Sequence, residues 1–171
     1  GIVEEISIHS VRIRNFDNSV TTLPTYTLTT EAVQNMEYVT YSEGKRFKQA
    51  IALAPESIKF VRHELINKIG SKYPDFYSNL GLNQADLAQT TNLSLLRIFI
   101  QDTLQNHSAL NQSYTNIAKI NSDASRGISI EVTGFTLDTN SIAHEEIKAS
   151  IVEFTYALLA EFELRAREII L

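Results

Sequence analysis

An α+β fold is predicted for this chain of 171 residues, and three observations predict it. Residues 1–41 carry short runs of alternating apolar residues broken by turn formers, the pattern of a small strand-rich head. Residues 42–171 switch between period-two runs and stretches with apolar residues at helical spacing, the pattern of a mixed α/β body. A hydrophobic content of 43% with 20% charged residues supplies apolar material for one sizeable core or two small ones.

In the head, Ile2 to Ile8 reads as a first strand, Val11 with Ile13 as a second, and Val20 with Leu23 as a third. The cluster Asn15-Phe16-Asp17-Asn18-Ser19 separates the last two and predicts a hairpin with its tip at Asp17-Asn18. Arg12 and Arg14 alternate with Val11 and Ile13, so a strand puts both guanidinium groups on one face, opposite Glu4 or Glu5. Pro24 has no N–H to give a ladder and ends its strand. Thr25 to Thr30 then reads as a short connection leading to a last strand near Ala32 to Tyr38. The whole is most of a small barrel without its opening strands. Position 1 is a glycine and Met36 is the only methionine, which predicts a piece excised from a longer protein.

The body opens after Ser42-Glu43-Gly44 with a strand over 45–54 that Pro55 stops. Ser57 is the predicted N-cap of a helix whose Phe60, Val61, Leu65, Ile66 and Ile69 recur at helical spacing up to Gly70. Residues 71–91, rich in Asn, Ser and Gln, read as a polar excursion with at most a short helical piece. A helix through Leu93, Leu96, Ile100 and Leu104 follows, capped by Asn92 or Ser94, although Ile98-Phe99-Ile100 also suits a strand. Tyr114 to Ile120 predicts a strand, Asn121 to Arg126 a turn, and Gly127 to Leu137 the most regular strand of the chain. Asp138 or Asn140 caps a final helix with Ile142, Ile147, Ile151, Phe154, Leu158 and Phe162 near one stripe. This order describes a ferredoxin-like α/β sandwich with an insertion near 71–110, its fourth strand missing or supplied after Glu163.

Composition and spacing exclude more functions than they suggest. A net charge of −5 argues against broad attraction to nucleic acid or anionic lipid. The absence of cysteine rules out disulfides and thiolate chemistry and fits a reducing compartment. No run approaches the ~18 apolar residues of a membrane-spanning helix, and the N-terminus has no signal-peptide pattern. His9, His63, His107 and His144 show no ligand spacing, so no metal site is expected. Glu145-Glu146 beside His144 is read as carboxylates favouring a helix N-terminus. Lys45, Arg46 and Lys48 are read as a charged, solvated edge strand. With no glycine-rich phosphate loop and no nucleophile arrangement, no catalytic residue and no cofactor are expected, and an enzyme is not the reading.

A set of head residues carries a family resemblance. The string Gly1-Ile2-Val3-Glu4-Glu5-Ile6, the segment Arg12-Ile13-Arg14 with Asp17 in the following turn, Pro24, and Asn35 resemble the middle β-domain of the small-conductance mechanosensitive channel family. Leu23-Pro24-Thr25-Tyr26-Thr27-Leu28, Ser42 to Ile51, the long insertion before Gly127 and the Glu161-Phe162-Glu163-Leu164-Arg165 end resemble its miniconductance branch. Met36-Glu37-Tyr38 departs from the aromatic-then-basic segment common after the Asn. The resemblance implies an Sm-like β-domain over 1–41 and an α/β cytoplasmic domain over 42–171. It further implies a channel of the bacterial inner membrane that opens under bilayer tension and releases ions and small osmolytes during hypoosmotic shock. This part would be a vestibule on the cytoplasmic side, assembled from identical subunits as a heptamer and joined to the membrane by N-terminal helices. The alternative from the residues alone is a binding module for RNA or for a small-molecule regulator. The acidic charge and the thin aromatic support of Phe16 and Tyr26 weigh against nucleic acid.

Overall fold

The computed structural model describes residues 1–40, 42–79, 89–123 and 127–167. Two compact units divide the chain, Gly1–Tyr38 and Val39–Leu171. Two antiparallel three-stranded sheets with helices make the α+β architecture that the sequence predicts.

The head is a meander of β1 (Ile2–Ile6), β2 (Ser10–Arg14) and β3 (Val20–Pro24) in the order β1-β2-β3. Its hairpin tip falls where the sequence puts it. The Asn18 N–H donates to the Asn15 carbonyl at 3.1 Å, and Asn18 then takes a φ of 66°. A tight turn followed by a left-handed residue is the usual closure of a three-residue hairpin loop, and Asn tolerates that φ better than most residues. The Asp17 carboxylate accepts from the Ser19 N–H at 3.0 Å and its hydroxyl at 2.6 Å. Pro24 ends β3, opposite Ser10.

The predicted strand over Ala32 to Tyr38 is not there. Residues 27–30 form one helical turn (α1) and Glu37–Thr40 another (α2), and residues 31–36 between them join no ladder. Local side-chain bonds decide it. Thr29 Oγ1 donates to the Tyr26 carbonyl at 2.6 Å, and Asn35 Oδ1 accepts from the Glu37 N–H at 2.9 Å. Threonine and asparagine thus close turns on their own backbone and outweigh the β propensity of the run.

In the body, β4 (Lys45–Ala52), β5 (Ile117–Asp123) and β6 (Gly127–Thr136) pair in the order β4-β6-β5. Helices α3 (His63–Lys72), α4 (Pro74–Asn79), α5 (Asn92–Gln105) and α6 (Ser141–Glu161) complete it. Phe47, Ile51, Ala118, Ile130 and Val132 from one sheet face share a core with Leu65, Ile69, Leu96, Ile100, Ile151 and Leu158 from the helices. Phe99 sits among rings, 4.7 Å from both Tyr73 and Phe76 and 5.6 Å from Phe162. At Gly134 a Cβ would lie 2.7 Å from the Phe47 ring, so glycine lets that ring pack flat on β6.

Several boundaries differ from expectation. Ser57 does not cap a helix: it ends a 3₁₀ turn over Pro55–Ser57, donates to the Ala54 carbonyl at 2.6 Å and accepts from the Arg165 N–H at 3.1 Å. Helix α3 starts at His63 instead, and Phe60 is exposed in a bridge to Thr91. The cap of α5 is Thr91, which accepts from the Ser94 N–H, rather than Asn92 or Ser94. Asn92 is buried because it ties three segments together. Its amide donates to the Ser57 and Phe162 carbonyls at 3.0 and 3.1 Å while its oxygen accepts from Lys59 and Leu93. Strand β5 runs on to Asp123, through part of the predicted turn, and residues 124–126 lie outside the described residues. The polar excursion carries α4, and residues 80–88 likewise lie outside them.

Asn140 caps α6 as predicted, accepting from the Ile142 and Ala143 N–H groups, but Ile142 is exposed instead of joining the buried stripe. The strand expected after Glu163 is a short bridge on the outer edge of β4. There the Ala54 N–H donates to the Arg165 carbonyl and the Arg167 N–H to the Ala52 carbonyl, each at 2.9 Å. At the opposite edge the Gln101 side chain accepts from the Ala118 N–H and donates to the Asn116 carbonyl, both at 2.9 Å. A side chain thereby satisfies backbone groups that an open strand would offer to another chain.

Candidate functional site

Two places concentrate the side chains singled out by the sequence: the head sheet, and the face of the body sheet that turns away from the helices.

In the head, Val3 pairs with Ile13 and Glu5 with Arg12, so the register slips across Glu4 and leaves it as the extra residue of a bulge. Glu4 collects both arginines. Arg14 Nε donates to Glu4 Oε1 at 2.6 Å, a terminal guanidinium nitrogen of Arg14 meets the same oxygen, and Arg12 Nε lies 3.9 Å from Oε2. The expectation left Glu4 and Glu5 open as partners, and the bulge selects Glu4. Gly1 sits where a Cβ would come 2.6 Å from the Arg14 carbonyl oxygen. Asp17, Pro24 and Asn35 shape turns, Ile13 is half-buried, and Val3 and Ile6 are exposed. The ten motif residues therefore set strand pairing and turns and do not converge on a ligand-sized site. Val11 is the head's one fully buried apolar side chain, whereas Ile2, Val3, Ile6, Ile8 and Phe16 are exposed, Ile8 at 87% and Phe16 at 90%.

On the body sheet, the face away from the helices carries Arg46 and Lys48 of β4, Lys119 and Asn121 of β5, and Glu131, Thr133 and Phe135 of β6. Glu131 is 4% exposed. Lys48 Nζ and Lys119 Nζ each lie 3.0 Å from one of its carboxylate oxygens, and Asn121 Nδ2 donates to Oε2 at 2.9 Å. Burial pushes the Glu131 carboxyl up, but the hydrogen bonds and charges of Lys119 and Lys48 outweigh it and hold it below the usual carboxylate range. Lys48 is thus tied to a buried carboxylate and is not simply part of a solvated edge. Toward one end of this face, a groove of about 390 Å³ opens along Arg46, Tyr114, Ile117, Lys119, Thr133 and Phe135. Tyr114 stacks on Phe135 at 4.7 Å, and buried Thr133 Oγ1 has no hydrogen-bond partner.

The Glu131 centre was missed in the sequence because an acid between Ile130 and Val132 reads as the wet phase of a strand. The available signal was two lysines, Lys48 and Lys119, on the same phase of flanking strands.

The remaining candidates stay apart. Among the described residues no three His, Cys, Asp or Glu side chains gather to hold a metal. His144 is buried, with Nδ1 2.9 Å from Thr136 Oγ1 and its ring edge-on to Phe47. Burial, helped by the Lys45 charge, pushes its pKa down. Glu145 lies beyond the first turn of α6 and pairs with Lys148 at 2.8 Å, whose hydrogen bond holds its carboxyl low. A side-chain partner, not the helix terminus, accounts for that carboxylate.

Comparison with known proteins bears out the resemblance read from the head. Residues 1–38 match the family model described as the mechanosensitive ion channel β-domain. The chain is similar in structure to Arabidopsis thaliana MSL1, solved by cryo-EM, with a TM-score of 0.64 at 6% identity over 99% of this chain and 49% of that one. It is also similar to Helicobacter pylori MscS in its closed state, with a TM-score of 0.59 at 12% identity over 100% of this chain and 52% of that one. At such identities the likeness is one of fold. The chain spans about half the length of these solved chains. No helix among the described residues is long and apolar enough to cross a membrane.

Proposed function

We propose, starting from a chain whose residues 1–38 match the mechanosensitive ion channel β-domain, that it forms the cytoplasmic vestibule of an ion channel gated by membrane tension. In this reading the channel sits in a bacterial inner membrane and passes ions and small osmolytes during hypoosmotic shock. Residues 1–41 serve as the middle β-domain and 42–171 as the α/β domain, with the stretch near 71–110 as an insertion. Helices outside this chain carry the pore, which agrees with a match to about half of each solved chain. No catalysis and no cofactor are assigned.

The observation that carries the reading is the family match over residues 1–38. Physical support for assembly from identical subunits comes from the same residues. Within residues 1–38, Ile2, Val3, Ile6, Ile8 and Phe16 are exposed, and apolar surface of this kind favours association. Identical neighbours in a ring, a heptamer in this proposal, would cover that surface.

The test is to remove the body after Met36 in the full-length channel and record patch currents under suction. The vestibule role predicts altered gating, selectivity or channel number. Currents, selectivity and expression all unchanged would overturn it.

A further inference from the structure

The groove on the helix-free face of the body sheet has the chemistry of a ligand site, and this inference stands on the body alone, apart from the channel reading. We propose that it binds a small organic carboxylate, with the carboxylate at Arg46, Thr133 and Lys119 and the body of the molecule against Tyr114 and Ile117.

Charge is the first argument. Three cations on this face, Arg46, Lys48 and Lys119, meet the buried carboxylate of Glu131 and, at the far end of β5, Asp123, although the chain as a whole carries −5. Lys48 and Lys119 are held by Glu131, one at each oxygen. Arg46 is exposed and makes no ion pair with a described residue, and no acid lines the groove among those residues. A guanidinium presents a planar fork of N–H donors that fits both oxygens of a carboxylate. The Lys119 ammonium has three N–H donors, so the one aimed at Glu131 leaves others to give.

Thr133 supports the same site independently of charge. Thr133 is 6% exposed, lines the groove, and its Oγ1 has no partner. That oxygen is closed off from solvent as it stands, so a turn of the Thr133 side chain toward the groove is what lets a ligand oxygen accept its proton and remove the penalty of a buried, unbonded hydroxyl. Register brings the pieces together: Thr133 pairs with Ile117 on one side and Lys48 on the other, and Arg46 pairs with Phe135, two residues along β6 on the same face. Next to them the Tyr114–Phe135 stack, inclined by only 21°, and the half-exposed Ile117 offer a flat apolar wall. Cations and a lone hydroxyl at one end and an apolar wall beside them select an anion with an organic body over a bare inorganic one.

The experiment titrates this chain with benzoate and follows backbone amide shifts, with benzyl alcohol as the uncharged counterpart and inorganic phosphate as the anion without a body. Saturable shifts centred on Thr133, Phe135 and Ile117 are expected with benzoate, weaker by about tenfold or more with either control. Arg46→Gln, at an exposed position, should weaken benzoate by about tenfold, and Thr133→Val by a smaller factor. The proposal is overturned by no saturable shift at those amides, by phosphate or benzyl alcohol matching benzoate, or by Arg46→Gln binding as tightly as the parent chain.

Discussion

The head and the body are both built on three antiparallel strands, yet they are held by different means. The head sheet is set by local pieces: a hairpin closed by Asn15, Asp17 and Asn18, a bulge at Glu4, and arginine pairs that lie in water. Its apolar side chains remain exposed apart from Val11 and the partly covered Ile13 and Leu23. The body sheet buries most of one face under helices, with Phe162, Leu53, Leu96, Ile100 and Ile130 essentially out of solvent. The difference teaches that pairing and turns can specify a sheet without stabilising it, and that stability comes from covering a face.

The largest break in this comparison should come from the body core. Phe162→Ala removes a fully buried ring and should cost about 3–5 kcal/mol in urea unfolding. Val11→Ala in the head should move that same transition by less than about 0.5 kcal/mol. Equal shifts for the two variants would show that the head contributes to the body's core stability.

Next in size is Asn92→Ala, expected to cost about 2–3 kcal/mol because it strands the Ser57 and Phe162 carbonyls and the Lys59 N–H together. Gly134→Val should cost about 1–3 kcal/mol by forcing the Phe47 ring off β6, read as a lower denaturation midpoint with an unchanged slope.

Acid sharpens the contrast further. The folded-state pKa of His144 lies below its ordinary 6.5, so between the two values the unfolded chain binds more protons than the folded one. Stability is therefore full above about pH 6.5 and falls as the pH drops toward the folded value. Glu131 acts in the same direction lower down: its depressed pKa makes its contribution present above 4.5 and lost as the carboxylate is protonated. Denaturant midpoints from pH 8 to 3 should decline in these two stages, and His144→Gln should flatten the first. A midpoint that rises on going from pH 7 to 5.5 would contradict the buried neutral ring.

Small effects belong to the head. Arg14→Ala breaks a solvent-exposed pair with Glu4, and a double-mutant cycle with Glu4→Ala should return less than about 1 kcal/mol.

What the sequence made legible follows the same division between local and distant causes. Strict alternation revealed β6, Asn140 revealed the start of α6, and Asp17-Asn18 revealed the hairpin, because each depends on neighbours in the chain. Ser57 and Asn92 were misread as caps because their partners lie far along the chain, Arg165 for the one and Phe162 for the other. The region 32–38 was misread as a strand because Asn35, within it, and Thr29, just before it, bond neighbouring backbone and close turns. The motif residues of the head were visible as a pattern, but that Glu4 would take both arginines depended on a bulge no spacing announces. The groove was invisible for a like reason, since Arg46, Thr133 and Tyr114 meet only through the pairing of three strands and a loop.

Amide hydrogen exchange on this chain at rising protein concentration tests the central claim, that the body folds on its own core, together with the proposal that the head depends on neighbouring subunits. The account predicts body amides of β6 and α5 protected at every concentration, and β1–β3 amides that exchange quickly when dilute and slow as the chains assemble. Head amides as protected as those of β6 in a dilute, monomeric sample would contradict it.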